Sequence, residues 1–124
     1  MRTASQDDVC EIPCVHPEAV ARVRAALPDV GVVEDATVLL KVIADPTRFR
    51  ILTALNVEEL CVCDLAASVD VAEASVSQML RVLRTAGVVE NRREGRMVYY
   101  RLADGHVRML LDVSREHARH EGQG

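Results

Sequence analysis

The chain has 124 residues, a hydrophobic fraction of 49% and a formal net charge of −4, so its length matches one folded domain. It contains no apolar run near the roughly 18 residues of a membrane span, and its first residues lack the apolar core of a signal peptide. We therefore expect a cytoplasmic protein whose 4 cysteines are reduced thiols. Because only 2 Tyr, 1 Phe and no Trp are present, the core must be aliphatic, which favours packed helices.

The first part of the chain is predicted to be an arm followed by helices. Residues 1–16 are polar and interrupted by Pro13, which is typical of a flexible arm, and residues 17–124 are predicted to form the folded domain. In chain order we predict a helix at 17–27, a turn at 28–31, a helix from 32 to about 43, and a helix from 46 to about 55 that Asp45 caps.

The middle of the chain has the element order of a winged helix-turn-helix. We predict a short helix at about 60–68, a turn at 69–71, a helix at about 72–86 that Gly87 ends, and a hairpin of 88–92 and 97–102. A last helix, capped by Asp104, is predicted to extend to about His120. The fold class is therefore mainly α with a small β-hairpin.

The basic side chains are concentrated in this motif. Residues 75–101 carry 6 arginines against 2 glutamates, although the whole chain is acidic. Such a patch suits contact with DNA phosphates, whereas by itself it is equally typical of a solvated helix face. The predicted DNA contacts are Ser75, Ser77, Gln78, Arg81 and Arg84 in the second helix, which suit base edges, and Arg92, Arg93 and Arg96 in the hairpin.

A histidine set near the C-terminus has the donor types of a metal site. It consists of Asp104, His106, His117 and His120. His106 and His117 are about 16 Å apart along one helix, too far to share an ion. Two copies of the helix, antiparallel across a dimer two-fold, would instead unite Asp104 and His106 of one protomer with His117 and His120 of the other. Three imidazoles and one carboxylate suit Zn(II) or Co(II), whereas histidines near a helix C-terminus are also favoured by the helix dipole.

A thiolate set is the second candidate metal site. It consists of Cys10, Cys14, Cys61 and Cys63. Cys61 and Cys63 point apart within a regular helix and can share an ion only if the first turn of the helix is loose or Cys61 lies at its N-terminal edge. The arm can then supply Cys10 and Cys14 to complete a site for Cd(II), Pb(II) or Zn(II). The alternatives are that Cys61 and Cys63 are small buried apolar residues, or a redox pair.

Several motifs together resemble those of the ArsR/SmtB metal-sensing repressors, in particular the CadC-like branch. They are CEIPC at 10–14, IADPTRFRIL at 43–52, ELCVCDL at 59–65, SVSQMLRVLRTAGVV at 75–89, EGRMVYYRL at 94–102 and the Asp-x-His-x10-His-x2-His pattern at 104–120. His120 departs from that branch, which often has Glu there, and is similar to the zinc sensors instead.

The resemblance implies a homodimeric repressor that binds operator DNA without metal and leaves it when Cd(II), Pb(II) or Zn(II) binds. It would then control metal efflux or resistance genes. The resemblance also implies that Cys10, Cys61 and Cys63 are core thiolate ligands, that Cys14 is a fourth ligand, and that the arm reaches the DNA-binding motif of the opposite protomer.

Three other functions are alternatives to a metal-responsive repressor. A thiol redox sensor of the same fold would use Cys61 and Cys63. A zinc hydrolase would need a general base beside an open coordination position, and the sequence contains no such arrangement, so we do not expect an enzyme. A metal-storage protein would not need the DNA-binding motif.

Overall fold

The computed structural model describes the backbone of residues 8–123 and the side chains of residues 8–119. The chain divides into two compact units, and the boundary between them in the sequence follows Val33. The first unit holds helix α1, Pro17–Ala26, which starts with proline at its first position and buries none of its residues. The predicted helix at 17–27 is therefore confirmed to within one residue.

Helix α2, Val30–Ile43, begins in the first unit and continues into the second. The predicted turn at 28–31 was too long, because the helical hydrogen bonds start early. The amide of Val33 donates to the carbonyl of Asp29 at 3.1 Å, which places Gly31 inside the first helical turn. Glycine is tolerated there, although it is a weak helix former.

Helix α3, Pro46–Val57, starts as predicted at Asp45 and ends two residues later than expected. The Asp45 side chain accepts a hydrogen bond from the Arg48 amide at 2.9 Å and so caps the helix. The Arg48 Nε donates to the Val42 carbonyl at 2.7 Å, which ties the end of α2 to the first turn of α3.

The predicted helix at 60–68 was wrong at its first two residues. Leu60–Cys61 form a short strand, β1, which pairs antiparallel with strand β3, Met97–Leu102. Helix α4 starts only after it, at Val62–Val69. Leu60 and Cys61 are extended because their backbone pairs with a strand almost forty residues later in the chain. A local sequence pattern does not reveal such a distant partner.

A tight turn separates α4 from α5, Glu73–Thr85, which is the recognition helix of the motif. Asp70 adopts a left-handed conformation with φ of 63° in this turn, and Gly87 does so with φ of 76° after α5. Aspartate and glycine are among the residues that tolerate this region. Helix α4 therefore ends one residue later than predicted and α5 one residue earlier, and the predicted left-handed conformation of Gly87 is confirmed.

The wing is the hairpin of β2, Val89–Glu94, and β3. The sheet order is β1-β3-β2, and Gly95, with φ of 63°, occupies the two-residue turn of the hairpin. Helix α6, Gly105–Gln123, follows, and Asp104 caps it by accepting from the amides of His106 and Val107 at 3.0 and 3.1 Å.

One aliphatic core joins α3, α4, α5, α6 and the sheet in the second unit. Its fully buried members are Ile51, Leu52, Leu65, Val76, Leu80, Leu83, Val88 and Leu111. This core fixes the angle between α4 and α5 and anchors both strands of the wing. Within the described part of the chain, no helix has the length and apolarity needed to cross a membrane.

Candidate DNA-binding surface and candidate metal ligands

The recognition helix has one buried face and one exposed polar face. Val76, Leu80 and Leu83 have 0% exposure and pack into the core. The predicted stripe also included Met79, which is half-buried. Helical periodicity therefore directs the other side of α5 to solvent.

The exposed face carries most of the side chains predicted to contact DNA. Ser75, Gln78, Arg81 and Arg84 are exposed, and Ser77 is half-buried. The guanidinium groups of Arg81 and Arg84 form no hydrogen bond or ion pair with any residue that the structure describes. Both are therefore available to a phosphate or a base edge.

The wing arginines differ in their availability. Arg93 and Arg96 are exposed and make no polar contact within the described residues, so they can reach a DNA backbone. Arg92 is instead held by Glu59, with Nη2 to Oε1 at 2.8 Å and Nε to both carboxylate oxygens at 3.1 Å. Its Nη1 also contacts Glu94 at 2.5 Å, and its guanidinium lies 4.6 Å from the centre of the Tyr99 ring.

These contacts give Arg92 a role inside the protein. The hydrogen bonds from Arg92 lower the pKa of the Glu59 carboxyl, and those to Glu59 and Glu94 raise the pKa of Arg92. Arg92 was predicted to contact DNA together with Arg93 and Arg96; its Nε, Nη1 and Nη2 all donate within the protein, and its contact with DNA stays a prediction. Arg92 fastens the wing to the residue just before β1.

A further basic residue beside the recognition helix was not among the predicted contacts. Half-buried Arg48 of α3 lines a cavity of about 320 Å³ with Ser75, Gln78 and Val82 of α5. The sequence placed Arg48 only in the capped first turn of α3. Its position next to the exposed face of α5 depends on how the two helices pack.

The second unit brings two cysteines of the thiolate set to the start of α4. Cys61 is only 3% exposed and lies in β1, with extended backbone angles (φ −75°, ψ 163°) as the residue that precedes the helix. Cys63 is exposed in the first turn of α4. Cys61 therefore lies at the N-terminal edge of the helix, which is one of the two arrangements in which the two sulfurs were expected to be able to share an ion.

Cys63 also has a partner that the sequence did not reveal. Its Sγ donates to Oε1 of Glu73 at 3.5 Å, and Glu73 is the first residue of the recognition helix. This hydrogen bond, together with the negative charge of Glu73, raises the pKa of the Cys63 thiol. Cys10 and Cys14 are exposed in the first unit, and their meeting with Cys61 and Cys63 stays a prediction.

The histidine set is partly assembled at the start of α6. Nδ1 of His106 lies 3.8 Å from Oδ1 of Asp104, and the His106 side chain is 93% exposed. His117 is exposed further along the helix. The side chain of His120 lies outside the described residues.

Neither set is complete within the described part of one chain, where no three His, Cys, Asp or Glu side chains are grouped closely enough to hold an ion. The donor chemistry nevertheless fits a metal ion at both places. Cys61 and Cys63 are free thiols separated by one residue, and Asp104 and His106 place a carboxylate beside an imidazole. Both sets stay predictions that require further ligands.

Comparison with known proteins identifies the family. Residues 45–91, from the cap of α3 into β2, match the family model described as "Bacterial regulatory protein, arsR family". The chain is 43% identical over 112 residues to a transcriptional repressor SmtB homolog of Synechocystis sp. (90% of this chain, 83% of that protein). It is 37% identical over 113 residues to a cadmium resistance transcriptional regulatory protein CadC homolog of Staphylococcus aureus (90% and 93%).

The fold is also shared with a solved structure. The homodimeric winged helix-turn-helix DNA-binding domain of a possible ArsR-family regulator from Mycobacterium bovis matches with a TM-score of 0.71 and 28% identity, over 78% of this chain and 92% of that one. The predicted winged helix-turn-helix fold and the resemblance to the ArsR/SmtB repressors are both confirmed. The relatives are transcriptional regulators and not enzymes. On this evidence the chain belongs to the ArsR family of DNA-binding bacterial regulatory proteins.

Proposed function

We propose that this protein is a metal-responsive transcriptional repressor. As a metal-free homodimer it binds operator DNA, and Cd(II), Pb(II) or Zn(II) releases it and so derepresses metal efflux or resistance genes. The observation that carries the proposal is the position of Cys61 and Cys63, which lie inside the DNA-binding motif directly before and within α4. The names of the SmtB and CadC relatives support the same function.

DNA binding is assigned to the exposed face of α5 and to the wing. Gln78 and Arg81 have the donors and acceptors to read adenine and guanine in the major groove. Arg93 and Arg96 would contact the sugar-phosphate backbone, where arginines fix position and not sequence. Arg84, one turn after Arg81, extends the same exposed face towards the end of α5.

A second protomer is needed for a palindromic operator, and α6 supports such pairing. Met109 and Val113 are 62% and 59% exposed, and they are four residues apart, so they share one helix face. An exposed apolar stripe on a long helix is typical of a surface that is covered in an assembly. In the antiparallel arrangement, Asp104 and His106 would meet His117 and His120 of a second copy.

The thiolate set is assigned as the principal sensor. Cys10, Cys61 and Cys63, with Cys14 as the most replaceable ligand, would hold a soft metal ion. Each thiol must lose its proton to bind, so metal affinity rises with pH. The ion would bind within the winged helix-turn-helix motif that also binds DNA. Metal and DNA would therefore weaken each other's binding by the same factor, typically about 5- to 150-fold.

A thiol redox sensor with the same two cysteines is less well supported. Reactive cysteines are exposed and have a lowered pKa. Cys61 is almost fully buried, and the pKa of the Cys63 thiol is raised by Glu73. Both observations slow oxidation, whereas a metal ion can displace the thiol protons.

The experiment first selects a duplex from a random-sequence library with the metal-free protein in the presence of chelator and reductant. Fluorescence anisotropy then measures affinity for that duplex with chelator and with each of Zn(II), Cd(II), Pb(II) and Co(II). The proposal expects tight binding with chelator and weakening by at least one of the soft ions. Release by peroxide alone, with no effect of any metal, would favour the redox sensor instead.

A further inference from the structure

The contact between Cys63 and Glu73 joins the two helices of the DNA-binding motif. Cys63 lies in the first turn of α4, and Glu73 is the first residue of α5. Both line an open cavity of about 410 Å³ whose remaining wall is largely the turn between the helices. A site at this position would be accessible to an ion and would be fixed by the core on both sides.

The separation of the two donor atoms is the one that a shared ion requires. A tetrahedral Zn(II) holds sulfur at about 2.3 Å and carboxylate oxygen at about 2.0–2.2 Å, which places the two ligand atoms roughly 3.5–3.7 Å apart. Sγ of Cys63 and Oε1 of Glu73 are 3.5 Å apart. An ion can therefore replace the thiol proton between them without a change in the spacing of α4 and α5.

The rest of the local arrangement favours an oxygen ligand at this point. Cys61 is nearly buried and does not line the cavity, whereas Cys63 and Glu73 line it and are open to solvent. Cys10 lies on the exposed arm and has to be brought to the site. Because Glu73 already lies beside Cys63, fewer metal ligands have to come from the arm.

We propose that Glu73 is a direct carboxylate ligand of the ion bound at Cys63, the cysteine of the thiolate set that lines this cavity, and that it tethers the metal to the first turn of the recognition helix. This inference rests on the proposed thiolate site. On binding, the Cys63 S–H bond breaks and its proton passes to solvent. The sulfur and one Glu73 oxygen each donate an electron pair to the metal, and no oxidation occurs.

Two consequences follow from an oxygen ligand at this position. The ion, and any arm cysteine bound to it, is held at the N-terminal end of α5, where a recognition helix enters the major groove. In addition, a carboxylate favours Zn(II) over softer ions, because Cd(II) and Pb(II) gain more of their affinity from sulfur. Glu73 would therefore help to determine which metal is sensed.

The test uses the full chain with His117→Ala, which removes the histidine set. Chelator competition measures Zn(II) and Cd(II) affinities of Glu73→Gln, of Glu73→Asp, and of the control Glu58→Gln, which makes the same charge change at an exposed residue outside the cavity. Infrared difference spectra recorded with and without Zn(II) follow the carboxylate stretch. Circular dichroism of the metal-free proteins checks that each variant folds.

We expect Glu73→Gln to weaken Zn(II) binding by at least about tenfold, since even residues that only support a ligand are worth about 10- to 100-fold. The loss should be smaller for Cd(II) and for Glu73→Asp, and the Zn(II)-dependent carboxylate band should shrink. Glu58→Gln should match the parent. Unchanged or tighter Zn(II) binding in Glu73→Gln would overturn the inference, because Glu73 would then only hold the thiol proton.

The same series separates this inference from the proposed function. Cys63→Ser in the His117→Ala background should lose Zn(II) and Cd(II) binding. If Cys63→Ser loses both ions while Glu73→Gln loses neither, the thiolate site stands and Glu73 is not a ligand. If Cys63→Ser also binds both ions at parent affinity, the thiolate site itself is wrong.

Discussion

The two candidate metal sets differ in how directly they touch the recognition helix. In the thiolate set, Cys61 pairs with Tyr99 of the wing and Cys63 contacts Glu73 of α5. In the histidine set, His106 is 93% exposed on α6, which has its own packing against α3. An ion bound at the cysteines would lie inside the DNA-binding motif, whereas an ion bound at the histidines would act through a helix outside it.

Helix α6 contacts the motif through the shared core, in which Val107 and Leu111 are buried, and through polar contacts with the end of α3. Arg108 donates to the backbone carbonyl of Asn56 at 2.8 Å, and the Asn56 amide donates to Asp112 at 2.8 Å. These polar contacts are exposed and contribute little, so an ion at the histidines would affect the recognition helix mainly through the core, whereas an ion at the cysteines would lie beside that helix. This comparison leads us to expect the larger effect on DNA binding from the cysteines.

The largest expected effect is that of the double substitution Cys61→Ser, Cys63→Ser. The variant should bind the selected duplex normally without metal and lose the weakening by Cd(II) and Pb(II), which is expected to be about 5- to 150-fold in the parent. Serine keeps the size of the side chain and removes the thiolate that soft ions require. Anisotropy titrations with each ion measure this change.

His117→Ala is the matched control for the double substitution, since it removes a ligand from the other set. It should retain most of the Cd(II) response. If the double variant still releases DNA at the parent's cadmium concentration, the histidine set is the sensor, and the order of the two sets is reversed.

The next effect concerns the geometry of the histidine set. His117→Ala should lose Zn(II) and Co(II) binding at α6, while a mixed dimer of Asp104→Ala and His117→Ala chains should retain one intact site, because each site takes ligands from both protomers. Differently tagged chains allow the mixed dimer to be purified, and Co(II) absorption counts its sites in a background without the cysteines. A mixed dimer with no site would exclude ligands shared across the two-fold.

The same contrast explains how much of the molecule could be predicted from the sequence. Three helix ends were predicted to within one residue from capping residues, which are Asp45 at the start of α3, Gly87 after α5 and Asp104 at the start of α6. Capping depends on residues within one helical turn, so it can be recognised in the sequence. Helical periodicity also predicted the exposed face of α5. These features are local, and they were sufficient to predict the fold class and the exposed face of α5.

The features that the sequence did not predict are non-local. Strand β1 exists because Leu60 and Cys61 pair with residues of the wing. The partners of Cys63 and Arg92 are 10 and 33 residues away, and nothing in the spacing singles them out from the other glutamates of the chain. Ligands supplied by another protomer are equally invisible in one chain, so both metal sets stay predictions.

A smaller effect separates the wing arginines from one another. Arg93→Ala should reduce the slope of log affinity against log salt by about one, because one arginine–phosphate contact releases about 0.9 counterion. Arg92→Ala should change the slope less, because Arg92 is already bound to Glu59 and Glu94. Anisotropy titrations at several salt concentrations measure both slopes.

Gln78→Ala serves as a control for these two variants. It should relax base preference at one position of the duplex and leave the salt slope unchanged, since a neutral side chain releases no counterion. Equal slopes for the parent and Arg93→Ala would remove Arg93 from the contact surface, and a larger change for Arg92→Ala would show that the Glu59 pair opens on DNA.

The smallest expected effect is that of Glu59→Gln, which removes the charge that holds Arg92. Because Arg92 lowers the pKa of Glu59, this pair stabilises the folded protein above the ordinary carboxyl pKa of about 4, and the stabilisation is lost as the pH falls through the lowered value. Both side chains are partly exposed, so solvent and salt screen the pair and the effect at neutral pH should be small. Thermal unfolding of metal-free protein should show a slightly lower Tm for Glu59→Gln at pH 7 and a difference that shrinks towards pH 3. A difference that instead grows as the pH falls would mean that the carboxyl acts in its protonated form, and that the charge of Glu59 does not fasten the wing to β1.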